Sequence, residues 1–157
     1  MNTLDEAVKD FLAQKRIAIA GVSRSGQSPA NFIHRKLRDA GHEVFPVNPA
    51  AQEVEDVRCY PDLASIPGGV TAVVVMTPPA AAADVVRECA RLGIRRVWLH
   101  RSIGQGSVSA AAVAAAREAQ LTLIPAGCPA MFCEPVDFGH KCFRWCLRFS
   151  GRLPAHV

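Results

Sequence analysis

The chain has 157 residues, enough for about one domain with one substantial core, and although 50% of them are hydrophobic, no charge-free run is long enough to span a bilayer. Its formal charge of +4 comes from basic residues dispersed among acids, with Lys15-Arg16, Arg35-Lys36 and Arg95-Arg96 as the doublets, and aromatics make up 6%. This balance excludes a membrane span, offers nucleic acid neither a basic tract nor a stacking platform, and suits a small polyanion better.

In chain order, residues 3–14 read as an amphipathic helix with Leu4, Val8, Phe11 and Leu12 on one face and Asp5 and Glu6 near its start, rather than as a signal peptide. A cytoplasmic protein is expected. Ile17 to Ala20 form a short apolar run, as a strand buried on both faces should. The turn Gly21-Val22-Ser23-Arg24-Ser25-Gly26 follows, and then a helix over 29–40 with Phe32, Ile33 and Leu37 inward and Gly41 as its stop. Residues 42–47 make a second strand ending in Asn48-Pro49. Between 50 and 69 the text is turn-rich, with a short strand near Val54 or Arg58 and a short helix over 62–66. A buried strand over 71–76, a helix over 80–92, a strand over 95–99, an alanine-rich helix over 109–120 and a strand over 121–124 complete the alternation, before a cysteine-rich tail with an amphipathic segment over 140–149.

Strand and helix alternating at these lengths give a doubly wound parallel sheet in three α/β/α layers, with right-handed crossovers. Ligands of such sheets bind outside the carboxyl ends of the strands, so the residues after each strand are the candidates. After the first stand Gly21, Val22, Ser23, Arg24 and Gly26, one substitution from a dinucleotide fingerprint; the turn suits a phosphate, to which Ser23 can donate from hydroxyl and amide, while the following helix points its N-terminus there. The same glycines also serve simple tight geometry. After the second strand, Asn48-Pro49 replaces the acid that would hold a NAD ribose; Asn48 can meet a sugar or base edge, or merely start a turn. After the third, Thr77-Pro78-Pro79 offers either a helix cap with proline at the first helical position or a rigid apolar wall for a ligand. His100 and Arg101 then bring cations to the same rim, as phosphate ligands or as solvated loop residues.

Gly21-Val22-Ser23, Val47-Asn48-Pro49, the run Thr77 to Ala82, Val97-Trp98-Leu99 and Gly127-Cys128-Pro129 together resemble the small single-domain CoA-binding proteins, which are similar to the CoA-binding domain of the succinyl-CoA ligase alpha subunit and of NDP-forming acyl-CoA synthetases. The resemblance covers most of residues 14–130. It implies a Rossmann-like single domain over 1–157, with the first helix and the tail packed on a core of 14–130, that binds CoA or acyl-CoA along the carboxyl edge of its sheet. Gly21, Val22, Ser23, Arg24 and Gly26 would meet the phosphates, Asn48 and Pro49 the adenosine, and Thr77, Pro78 and Pro79 the ligand's path. Ser102, Ile103 and Gly104 would approach the pantetheine side. The chain departs from the family's usual text at His100-Arg101-Ser102. The matched stretch does not include the ligases' phosphohistidine domain, so ligase activity is not expected.

Six cysteines without a secretory segment point to free thiols, metal or redox chemistry before disulfides. Cys128, Cys133, Cys142 and Cys146, with Glu134, Asp137 and His140 among them, could hold zinc, react, or simply pack. No nucleophile, base and orienting group stand together, so no catalytic residue and no metal ligand is assigned. The alternatives to CoA binding are an NAD(P)-dependent oxidoreductase and a thiol- or zinc-responsive sensor. A homodimer or a protein partner is left open.

Overall fold

The computed structural model describes residues 2–102, 104 and 106–157. In chain order the elements are α1 (Leu4–Leu12), β1 (Arg16–Ala20), α2 (Pro29–Asp39), β2 (Glu43–Val47), β3 (Glu53–Val54), β4 (Val57–Arg58), β5 (Ala72–Val75), α3 (Pro79–Arg91), β6 (Arg96–Leu99), α4 (Ala110–Glu118), β7 (Thr122–Ile124), a single 3-10 turn at Pro129–Met131, and α5 (Phe138–Phe149). Five strands form one parallel sheet in the order β2-β1-β5-β6-β7, and β3 pairs with β4 as a separate hairpin.

Alternation along the strands divides the core in two. Ile17, Ile19, Ala72, Val74, Trp98 and Ile124 face α1, α2 and Leu147 of α5, whereas Ala18, Ala20, Val73, Val75, Val97 and Leu99 face α3 and α4. Strands clothed on both sides can be apolar at every position, which is why β5 reads Ala-Val-Val-Val. The expected three-layer, Rossmann-like α/β architecture is present. Trp98 anchors the first layer, its ring edge-on to Phe11 at 5.3 Å and its indole N–H donating to Ala126 O at 3.0 Å.

Two local expectations need correction, the helix over 62–66 and the inward Phe32, and a third is met twice over. Residues 62–66 form turns rather than a helix, because Asp62 accepts the Ser65 N–H at 2.8 Å while Pro61, Pro67, Gly68 and Gly69 bracket the stretch. Both candidate short strands exist, joined through Glu55 and Asp56 at φ +51° and +61°, the two positive values a tight hairpin demands. Phe32 is 40% exposed; Asn31 and His34 are buried in its stead on the face of α2 that carries Ile33 and Leu37. At the β2 edge of the sheet, Pro46 uses its carbonyl to accept the Tyr60 N–H at 3.0 Å.

Candidate functional site

The strand order places β2 on one side of β1 and β5 on the other, so the connections diverge between β1 and β5 and leave a crevice above their carboxyl ends. Gly21 forms its floor. Its φ is +103°, and a Cβ there would stand 2.7 Å from Met76 C and 2.8 Å from Thr77 N, so only glycine lets β1 leave the sheet this close to the exit of β5. The resulting cleft, of about 250 Å³, is lined by Gly21, Pro29, Met76, Thr77, Pro78 and His100 among others. Its walls therefore include the first residues of α2, the residues just before α3 and two proline rings.

The turn beyond Gly21 is held from within. Asn31, fully buried, accepts the Ser23 N–H at 2.9 Å and the Ser28 hydroxyl at 2.5 Å through Oδ1, and its Nδ2 donates to Ser23 O at 3.0 Å. Ser28 caps α2 by accepting the Asn31 N–H. The Ser23 amide, expected to donate to a phosphate, is thus engaged by the protein; its hydroxyl lies 2.9 Å from that of Ser25. Asn48 is likewise committed, donating to Val22 O and accepting the Ala50 N–H, both at 2.8 Å, which realises the turn reading of Asn-Pro and ties the end of β2 to the β1 turn. Thr77 is not the cap of α3. Pro78 occupies that position without a side-chain bond, Pro79 begins the helix, and the Thr77 hydroxyl is buried with no partner among the described residues.

Two residues that sequence reasoning passed over complete the frame. Asn31 is the first; Ser107 is the second, buried, with its hydroxyl donating to Thr77 O at 2.6 Å and its N–H to His100 O at 2.8 Å, so that the loop after β6 is pinned to the exit of β5. Gly106 permits that approach, since a Cβ there would fall 2.2 Å from His100 O. Burial pushes the His100 imidazole below its ordinary range, so it meets the cleft as a neutral ring and does not supply the cation anticipated at this rim.

The model of the CoA binding domain family matches residues 15–134. The chain belongs to that family. Over 90 residues, 56% of this chain, it is 31% identical to the ADP-forming acetate–CoA ligase II of Archaeoglobus fulgidus, but the match spans only 13% of that ligase. Among solved structures, a hypothetical protein from Pyrococcus horikoshii superimposes with a TM-score of 0.71 at 29% identity, covering 78% of this chain and 84% of the other. A Thermus thermophilus protein gives 0.67 at 29% identity, covering 91% and 99%.

In this CoA binding domain the remaining candidates among the described residues do not line the cleft. Arg24 is exposed on the turn, and Gly26, at φ +73°, accepts from Arg35 Nη1 at 3.2 Å. Pro49 opens a hollow of about 920 Å³ beside Arg58 and Cys59. Ser102 and Gly104 line a separate 220 Å³ recess between Arg101 and Arg152, and Ile103 lies outside the described residues. The structure therefore gathers Gly21, Thr77 and Pro78 into one cleft and sets Pro49 and Ser102 in recesses of their own.

The tail forms no metal centre among the described residues: no group of three or more His, Cys, Asp or Glu is placed to hold an ion. Cys128 and Cys133 are buried and Cys142 and Cys146 exposed. Burial pushes the Cys128 thiol up to about 11, the opposite of what a reactive thiolate needs.

Beneath the turn, Glu55 at the hairpin tip pairs with Arg35 and stands 3.9 Å from His34 Nδ1. Neither His34 ring nitrogen has a hydrogen-bond partner among the described residues. Burial, then Arg38, hold the His34 imidazole below its ordinary value of 6.5, with Glu55 opposing. The unfolded chain takes up that proton near 6.5 and the folded chain only at lower pH, so the unfolded state binds more protons in this window. Stability is full above pH 6.5 and falls as the pH drops below it. Urea midpoints measured from neutral to mildly acidic pH should show this decline, and His34→Leu should flatten it; His100, shifted in the same direction, leaves a residual slope. An undiminished slope in His34→Leu would assign the effect elsewhere.

Proposed function

We propose that the chain binds coenzyme A or an acyl-CoA along the carboxyl edge of its sheet, with the diphosphate at the turn Gly21 to Gly26 and the pantetheine arm entering the cleft between β1 and β5. The cleft at the switch point carries this reading: bare glycine backbone below and the proline rings of Pro29 and Pro78 at the walls. An apolar arm matches such a lining, because the proline rings are apolar and compete for no hydrogen bond. Arg24 and the Ser23 and Ser25 hydroxyls crown the turn where phosphates would sit, and Pro49 with Arg58 borders a hollow wide enough for an adenosine. Membership of the CoA binding domain family supports the same ligand.

Against a nicotinamide dinucleotide stands the end of β2, where no carboxylate follows the strand and both ends of the Asn48 amide are occupied. Calorimetric titration with CoA, dephospho-CoA and NAD should therefore show binding of CoA and little of NAD; preference for NAD over both CoA forms would sink the proposal. Ser23→Glu isolates the turn, since the bonds of Ser23 to Asn31 use its backbone and survive the exchange. The variant should melt like the parent and bind CoA at least roughly tenfold more weakly, as a carboxylate beside a diphosphate costs more than a kcal/mol at low effective dielectric. Unchanged affinity would move the phosphates elsewhere.

A further inference from the structure

Helix α5 is amphipathic with its larger apolar face outward. Leu147 is its buried residue, and half-buried Phe143 and Arg144 fasten the same side, the guanidinium donating to Met131 O at 2.9 Å. On the opposite side Phe138, Trp145 and Phe149 are 82%, 66% and 84% exposed, and Cys142 and Cys146 lie exposed between them. Trp145 and Phe149 stack on each other at 5.5 Å, their planes 16° apart. Monomeric surfaces scatter large apolar residues singly, whereas contiguous patches of this kind mark contacts.

We propose that this face is a self-association surface on which a second copy of the chain lays its own α5 antiparallel. Phe138, Cys142, Trp145 and Phe149 are spaced four, three and four residues apart, a pattern that reads the same from either end. A twofold axis passing between Phe143 and Arg144 sets Phe138 of one copy against Phe149 of the other, and Cys142 against Trp145, so each contact is made twice, as an isologous interface requires. Alternating steps of three and four residues are also the spacing that keeps two packed helices in register. The three rings expose on the order of 450 Å² per copy. With the two cysteines, a pair of copies buries roughly 1,000 Å², the lower limit for a specific interface and the mark of a weak dimer.

Charge separates this occupant from others. α5 contains no acidic residue, and Lys141 and Arg148 flank the stripe, the latter already paired with Asp5. Like charges at the rim of a self-contact repel and are screened by salt, so added salt tightens a dimer, while it weakens attachment to an anionic membrane or an acidic protein. The association does not depend on CoA binding.

Sedimentation equilibrium over roughly 1–300 µM chain, the range in which so small an interface titrates, is the test. A dimer is expected that strengthens from low to high salt, with tryptophan emission shifting to the blue as exposed Trp145 is covered while Trp98 stays buried. Trp145→Glu should weaken it at least tenfold, and Phe138→Ser, at the far end of the stripe, should do the same, both with unchanged circular dichroism. A monomer throughout, a dimer indifferent to both substitutions, or a monomer that binds only phosphatidylserine vesicles at low salt would each overturn the proposal.

Discussion

Replacing Gly21 by alanine is expected to lower the melting temperature by roughly 10 °C and to remove measurable CoA binding. Two costs combine. The new Cβ must occupy a φ of +103° and must push against backbone atoms of Met76 and Thr77 at 2.7 and 2.8 Å. Neither neighbour is a flexible side-chain end, because both continue β5, whose Met76 N–H donates to Ala20 O at 2.8 Å. Left-handed strain and overpacking each cost about 1–3 kcal/mol, so about 3 kcal/mol in sum is a reasonable size. Any relief comes from spreading β1 and β5 apart, which is the movement that destroys the cleft. Thermal melts and calorimetry on one preparation check both halves of the expectation; a variant that melts within a degree or two of the parent would show that the strand exits can part freely.

Asn31→Leu is expected to be nearly as damaging, although the substitution is apolar and the site fully buried. The side chain holds the turn by three bonds, to Ser23 N, Ser23 O and the Ser28 hydroxyl. Leucine leaves the Ser23 N–H without its partner and Ser23 O with the Gly26 N–H at 3.3 Å; an unsatisfied part-buried backbone donor costs about 1–3 kcal/mol, so a loss of about 2 kcal/mol should appear in urea unfolding. CoA affinity should drop by at least roughly tenfold, because a turn that is no longer preorganised must be ordered at the ligand's expense. Asn31→Asp separates the two effects. It keeps the acceptor for Ser23 N–H and places a negative charge at the start of α2, where the helix dipole tolerates it, yet that charge repels phosphates. Its stability should lie closer to the parent than that of Asn31→Leu, with CoA binding still impaired. Equal affinity in all three proteins would detach Asn31 from the binding turn.

The layered fold was legible because buried parallel strands leave a plain signature: runs such as Ile17 to Ala20 and Val73 to Val75, each followed by glycine or proline and a helix. What escaped was governed by particular side-chain partners, a few of them close in sequence and the rest from other elements. Apolar patterning turned Phe32 inward, but α2 is rotated so that Asn31 can reach Ser23 and Ser28, and Phe32 is left stacking on His140 at the surface. The hairpin of β3 and β4 announced itself weakly because its turn uses Glu55 and Asp56 rather than glycine or asparagine, with Glu55 held by Arg35. Ser23 and Asn48 stand on the rim, yet the Ser23 N–H and both ends of the Asn48 amide are spent within the protein. Sequence reveals which groups can donate; only geometry reveals which are already taken. For the same reason Ser107 gave no signal, since its partners Thr77 and His100 come from two other strand ends.

Pro46 also bears on how copies of this molecule can meet. An exposed strand edge invites another chain to add itself by backbone pairing, the common route to uncontrolled aggregation. Toward the end of β2 that invitation is withdrawn: Pro46 has no N–H to offer, and its carbonyl is already taken by Tyr60. Growth of the sheet past this edge is interrupted there, so association on that flank must be negotiated by side chains, which can be selective where a bare backbone cannot.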